Sequence, residues 1–437
     1  MKNNRLLIFM LLFIGGTLFL LPNFYDNKWR AVEPAYYDEW QTQYDRLVIA
    51  RLVKTRQDGF FSAGGLLGLG DTPELNYLSA THRRQYSAYL NNENFKIYTV
   101  YKSNPGFQGV LYGIPDRLLT TTSNQKIDFF RGFASLASAI AVSLLFTGFV
   151  IEFGFLSGML PLLFAAFCIW TILPAGSIFW NLWAFYLPFL ASIYLLADSE
   201  RKGIYNPRKV YFVLFTATLA RILLSGFDII TTGLIMTTVP IVFYGIYKEW
   251  SWNTFINRFL KISLALSAAT LTGLLILSAQ IISNHGNIRI AFDYIEERFG
   301  HHFAGNSQYY LSGGIEPTKI GIIEVTKKYL LMPAMNVRLP GPDIQILYWH
   351  LIILFATCTT LFFILDKKWD RSSRKAIALI VATWYSLLAP LSWYILFRPH
   401  SIIHTRVNTM GWQMPFTLLG FALCGYVASD LLKRKTT

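Results

Sequence analysis

Three groups of residues in this chain have the types and spacing to do chemistry. The first is Asp38, Glu39 and Asp45, set in the run Pro34-Ala-Tyr-Tyr-Asp-Glu-Trp-Gln-Thr-Gln-Tyr-Asp-Arg46. Paired carboxylates near a low-dielectric mouth can act as a general base or coordinate a divalent cation. Otherwise they are the solvated face of a helix. The second group is Arg398, His400, His404 and Arg406, within nine residues. Arginine meets phosphate in bidentate geometry and histidine exchanges protons near neutral pH, so this cluster suits a pyrophosphate or lipid phosphate; the bland reading is a basic anchor at the membrane interface. His400 and His404 are four apart, as zinc ligands on a helix would be, but Pro399 and the lack of an HExxH glutamate argue against a metal there. The third is Arg221 with Asp228 in an apolar run, where ionisable groups face a cavity or each other. His301, His302, Asp293, Glu296 and Glu297 read as surface residues.

The elements that must position these groups are membrane helices. The chain has 437 residues, of which 53% are hydrophobic and 15% charged, more apolar surface than a soluble domain could bury. The formal charge of +14 falls largely at span ends and in loops, where cations set orientation and meet anionic lipid, so nucleic acid is not an expected partner. Cys168, Cys358 and Cys424 lie in apolar segments, with no disulfide framework or CxxC site.

The expected fold is an all-α polytopic membrane protein of about ten transmembrane helices with a long structured first external loop. Residues 1–22 form a retained amino-terminal anchor and 23–131 an external segment. Central spans fill 132–283, at about 132–151, 153–173, 179–196, 210–227, 229–247 and 260–283. A second external loop covers 284–345, and residues 346–437 hold the last spans at about 346–365, 376–396 and 412–432. With both termini cytoplasmic, nearly every short basic loop falls inside, including Arg208-Lys209, the 366–371 segment and Arg374-Lys375, as the positive-inside bias requires in a cell inner or plasma membrane. Asn23 to Ile127, Asn284 to Gln345 and Arg398 to Arg406 then share the outer side. Arg221 to Asp228 turns at that face too.

Within the first external segment, Trp40, Tyr44, Leu47, Val48 and Leu52 recur at helical spacing, with Asp38 and Asp45 together on the other side. The expectation is an amphipathic helix on the membrane surface, its acids away from lipid, with Arg51 snorkelling toward a lipid phosphate. Asp58-Gly59 ends it. Ser62-Ala-Gly-Gly-Leu-Leu-Gly-Leu-Gly70 reads as a flexible loop and not a nucleotide cradle, because no strand precedes it and no Lys-Ser/Thr helix start follows.

An inside amino terminus, a first external segment that opens with Tyr37-Asp38-Glu39 on a helix, and about ten spans together resemble the GT-C class of membrane glycosyltransferases. That class includes protein O-mannosyltransferases and the oligosaccharyl and aminoarabinose transferases. The resemblance covers the architecture of the whole chain, and its specific motif is short. It implies a polyprenyl-phosphate sugar donor, with a glycan, lipid or protein as acceptor. It also implies that Asp38 is the base or orients the acceptor, with Asp45 competing for the role. Arg398 and Arg406 are candidates for the donor phosphate by place. The residues read without it agree, adding Arg221 as a third cation; no cofactor is assigned, and the acids could hold a divalent cation. Two other readings stand beside it. An O-antigen-type ligase or polymerase would weight Arg398, His400 and His404, and a lipid or polysaccharide transporter would use Arg221 and Asp228 as its site.

Overall fold

About 80% of the described residues are helical. In hydrocarbon every backbone group must be satisfied within its own segment, so apolar runs of this length fold as helices. The computed structural model describes residues 2–72, 79–303, 321–337, 344–365 and 371–436. Among them, eight helices are long and apolar enough to cross a membrane, or nine if one bent pair counts as a span. In chain order the helices that build the bundle are α1 (Lys2–Asp26), α5 (Ser123–Phe153), the bent pair α6 (Phe155–Phe167) and α7 (Ile169–Ala175), α8 (Leu182–Lys202), α9 (Pro207–Ser225), α10 (Ile230–Tyr247), α11 (Trp252–His285), α14 (Tyr348–Leu365), α15 (Arg371–Ser386) continued by α16 (Leu388–Leu396), and α19 (Phe416–Thr436). The expected count of ten maps onto these. α9, with Arg208, Lys209 and Arg221, is the one expected span that is neither among the eight nor part of the bent pair.

The bundle is sewn together by close approaches at glycine. α5 packs on α1, α6 and α8; α19 packs on α6, α14 and α15; α9 lies between α8 and α11. A Cβ at Gly425 of α19 would meet the Leu156 carbonyl of α6, and one at Gly420 would meet the Phe355 ring of α14. Small residues let membrane helices approach where no hydrophobic force drives them together. Only 22%, 28% and 22% of the apolar windows of α1, α11 and α14 are buried, which marks these three as the periphery.

The remaining elements cap one end of the bundle. Between α1 and α5 come α2 (Pro34–Asp58), α3 (Ser79–Leu90) and α4 (Gln108–Leu118), with an antiparallel pair β1 (Leu67–Gly70) and β2 (Tyr98–Tyr101) in register Leu67 to Tyr101. After α11 come α12 (Ile288–Phe303), α13 (Ile322–Leu330) and a bulged hairpin of β3 (Pro333–Val337) and β4 (Ile344–Leu347). Two short helices, α17 (Arg398–Ile403) and α18 (Thr405–Asn408), close the same end. The second expected external loop lies partly outside the described residues, at 304–320 and 338–343, and so does most of the 366–371 segment.

Three expectations about the first segment are corrected. α2 ends as expected, with Gly59 stopping it at φ 93°, and it starts with Pro34 in its first turn and Glu33 accepting the Tyr36 N–H at 2.7 Å. Yet it is not a surface helix: from Asp45 to Val53 every side chain is buried, because α3, β1 and α4 pack around it. Arg51 does not reach for lipid. It is 1% exposed and donates to the carbonyls of Ser62 at 2.6 Å, Gly59 at 3.3 Å and Phe60, filling the turn that follows its own helix. That guanidinium also orders the glycine-rich stretch, which forms a tight turn and then β1 instead of a flexible loop.

Candidate functional site

The amino-terminal turn of α2 is held in place from below. Asn23 of α1 donates to the Ala166 carbonyl at 2.6 Å, and the Asn27 amide brackets Val32 by accepting its N–H at 3.1 Å and donating to its carbonyl at 2.8 Å. The Tyr37 hydroxyl contacts the carbonyls of Tyr25 at 2.9 Å and Phe24 at 3.1 Å. Burial pushes the Tyr37 phenol up, so it remains a donor at any physiological pH. With Tyr37 turned inward, Asp38 and Glu39 are exposed. Asp38 borders a recess of about 320 Å³ that it shares with Asp26, Lys28, Arg30 and Tyr37. Two carboxylates and two cations therefore rim one small aqueous cavity.

Asp45, two turns further along α2, is in a different setting. It is 0% exposed. Its Oδ1 accepts the Ser177 hydroxyl at 2.7 Å and the Phe179 N–H at 3.3 Å, and its Oδ2 accepts Arg131 Nε at 3.4 Å. Arg131, from the first turns of α5, also donates to the Tyr86 hydroxyl of α3 at 3.2 Å. Burial pushes the Asp45 carboxyl up, opposed by Arg131, Ser177 and Phe179. The expectation that Asp38 and Asp45 share an outward face is therefore corrected. The tight turn after α7 folds over α2 and supplies Ser177 and Phe179 as ligands to the acid. Asp45 joins α2, α5 and that turn. On the same part of α2, buried Arg46 acts on His82 of α3, whose pKa burial and that charge push down to about 4.

Arg406 is the residue of the late cluster that meets α2. It is exposed, and its guanidinium lies 5.4 Å over the Tyr36 ring. Tyr36 is raised in pKa mainly by burial, with Arg406 opposing and Glu39, one turn on, adding to the rise. Residues some 370 positions apart in the chain thus come together at one mouth. Arg406 reaches it because α17 and α18 are fixed from behind: Tyr329 donates to the Ser401 carbonyl at 2.8 Å, Lys328 to Ile402 at 2.9 Å, and Tyr394 to Asn408 at 3.0 Å. His400 is 8% exposed, edge-on to Trp393 and 4.6 Å from the His404 ring, so it packs within this support. Arg398, at the start of α17, is half-buried.

Arg221 has a local task. It is 2% exposed, lies 4.6 Å over the Phe185 ring, and donates to the carbonyls of Gly226 at 2.9 Å and of Asp228. It clamps the turn from α9 to α10 through the backbone of Asp228. A row of rings runs between the two cations: Tyr36, Trp40, Tyr44, Trp180 and Phe185, at successive centroid distances of 6.3, 4.5, 5.5 and 6.4 Å. This row is a packed wall of the α2 end.

Asp26, Lys28 and Arg30 of the recess, and Arg131, Ser177 and Tyr36 around the acids, were not marked by the sequence reading. Arg131 carried a readable signal as a lone cation at the mouth of a span. Ser177 and Tyr36 carried none. Among the described residues no group of three or more His, Cys, Asp or Glu side chains could hold a metal ion; Asp26 and Asp38 rim the same recess as a pair. No protein-family model matches the chain, and no curated protein or solved structure does either.

Proposed function

We propose that the chain is a membrane glycosyltransferase of GT-C type. It would move a sugar from a polyprenyl-phosphate donor to a glycan, lipid or protein acceptor on the outer face of the membrane. The observation that carries this reading is the contact of Arg406 with the Tyr36 ring in the first turns of α2, which also carry Glu39 and the recess-lining Asp38. Accessible acid and accessible cation are what the transfer requires. The acceptor hydroxyl gives its proton to Asp38 or Glu39 as its oxygen bonds to the anomeric carbon, the bond from that carbon to the phosphate oxygen breaks, and Arg406, with Arg398, Lys28 or Arg30, stabilises the departing polyprenyl phosphate. Asp45 is assigned a positioning role, because its oxygens are already engaged by Ser177, Phe179 and Arg131. Arg221 is assigned to the fold, because its guanidinium is engaged by the carbonyls of Gly226 and Asp228.

The test is transfer of labelled sugar from membrane lipid to acceptor by cells carrying the wild-type chain or Asp38→Asn, Glu39→Gln, Arg406→Ala or Asp45→Asn, each checked for insertion. Loss by 100-fold or so in turnover for one exposed acid, at the scale of a missing general base, with Asp45→Asn active, supports the assignment. Full transfer by both exposed-acid variants would overturn it, and no transfer by the wild type would overturn the enzyme reading.

A further inference from the structure

A second cavity lies at the opposite end of the bundle from α2. It measures about 250 Å³ and is bounded by α5, α8 and α10, with Phe9 of α1, Leu379 and Ala382 of α15 and Leu419 of α19 completing it. An apolar cavity of ~150 Å³ already takes a benzene ring and stays dry otherwise, so this one is large enough to hold a length of hydrocarbon. Its interior is made by side chains such as Leu145, Phe149, Phe189 and Phe243. Gly148 keeps it open on the α5 side, since a Cβ there would meet nothing closer than the Tyr194 hydroxyl at 3.7 Å.

Three charged residues line the rim, Glu152, Asp198 and Arg201, and Lys375 and Lys202 beside it neutralise the two acids. Glu152 at the end of α5 is engaged by Lys375 of α15 at 2.8 Å, and Arg201 of α8 contacts it only at 3.6 Å. Asp198 is taken by Lys202 at 2.9 Å. Arg201 is left 61% exposed at the mouth with donors to spare. An apolar chamber within the helices, opening beneath a cation with unfilled donor capacity, has the polarity of an amphiphile with one chain and an anionic head.

We infer that this cavity is a binding site for an anionic glycerophospholipid of the adjacent leaflet. One acyl chain lies between α5, α8 and α10, and the phosphate is held by Arg201. The inference does not depend on the transferase reading, since the site is at the other end of the molecule.

The experiment uses the full-length protein purified in mild detergent, delipidated, and titrated with phosphatidylglycerol or phosphatidylcholine, with bound lipid counted by native mass spectrometry. Wild type should bind phosphatidylglycerol in preference to phosphatidylcholine. Gly148→Phe, which fills the chamber, and Arg201→Gln, which removes the head-group contact, should each weaken phosphatidylglycerol binding about tenfold, the worth of one charge-assisted contact. A photoactivatable group at the end of the acyl chain, used on the wild-type protein, should label peptides spanning residues 144–153 or 189–201, so the inference stays testable even if Gly148→Phe does not fold. Weakening by Arg201→Gln alone would put the lipid on the surface and overturn chain insertion. Equal binding of the two lipids, unchanged binding in both variants, or labelling elsewhere would overturn the site.

Discussion

Replacing Asp45 separates two accounts of what a buried acid does for this fold. Asp45→Ala leaves the buried Ser177 hydroxyl without its acceptor and the buried Phe179 N–H with only the Ser177 oxygen at 3.3 Å. Each such group costs about 1–3 kcal/mol, so the expected loss is about 2–4 kcal/mol once partial rearrangement is allowed. Asp45→Asn keeps an oxygen for both donors and gives up only the ion pair. At 3.4 Å that pair is worth ~5 kcal/mol at an effective dielectric near 20 but only ~1 in water. Arg131 is 25% exposed and retains Tyr86, so the loss should sit at the low end, within about 1 kcal/mol. Ionised Asp45 also bears a desolvation cost that the amide does not. Its raised pKa means that the folded state keeps a proton the unfolded chain releases above pH ~4. Stability from this group is therefore greatest at the low end of the window and is lost as pH rises to the folded value. His82 acts in the opposite sense, losing stability as pH falls from its ordinary range toward about 4, and it cancels in the difference between wild type and Asp45→Asn. Denaturation midpoints in mild detergent, measured for wild type and both variants at pH 5 and pH 8, give all the terms. If Asp45→Asn costs as much as Asp45→Ala, or if wild type gains on Asp45→Asn as pH rises, the ion pair dominates and the reasoning fails.

Other expectations can be checked with the same preparation. Arg51→Met should destabilise by about 2–4 kcal/mol, because the carbonyls of Ser62, Gly59 and Phe60 lose a charged donor; a denaturation midpoint equal to wild type would refute the clamp. The thiols of Cys358 in α14 and Cys424 in α19 lie 3.3 Å apart, so a membrane-permeant two-electron oxidant should join them within one chain and release two protons. Mass spectrometry should find that cross-linked peptide, and Cys424→Ser should abolish it. Gly425→Val should lower stability by about 1–3 kcal/mol through overpacking against the Leu156 backbone, while Gly286→Ala, where a Cβ meets nothing within 4 Å, should cost less than that and only through its φ of +70°.

The helices were legible because a membrane span needs only length and apolarity. The end of α2 was legible because Gly59 is a local signal. The face of α2 was not. Its apolar residues recur at helical spacing, yet burial of Asp45, Arg46 and Arg51 depends on partners as distant as Ser177 and Arg131, and no periodicity contains those. Asp38 and Glu39 stand exposed, as expected of acids offered to solvent. Of the four members of the late cluster it is Arg406 that contacts α2, through Tyr36, while His400 packs on His404 and Trp393, a division that spacing alone does not show. The Arg221 turn was legible as polar, but that its guanidinium bonds the carbonyls of its own turn was not, since a cation engaged that way reads in sequence like one that faces a ligand.

α5 has 31 residues and so runs for about 46 Å without a break, half as long again as the ~30 Å hydrocarbon layer. Its first turns hold Arg131 against Asp45 while its last carry Glu152 to the far rim. A beam that passes through both storeys transmits tilt without absorbing it. The floor built on α2 is thus pinned to the bundle and tilts with it, whereas α17, α18 and α13 are held by hydrogen bonds and ring contacts rather than by a shared helix.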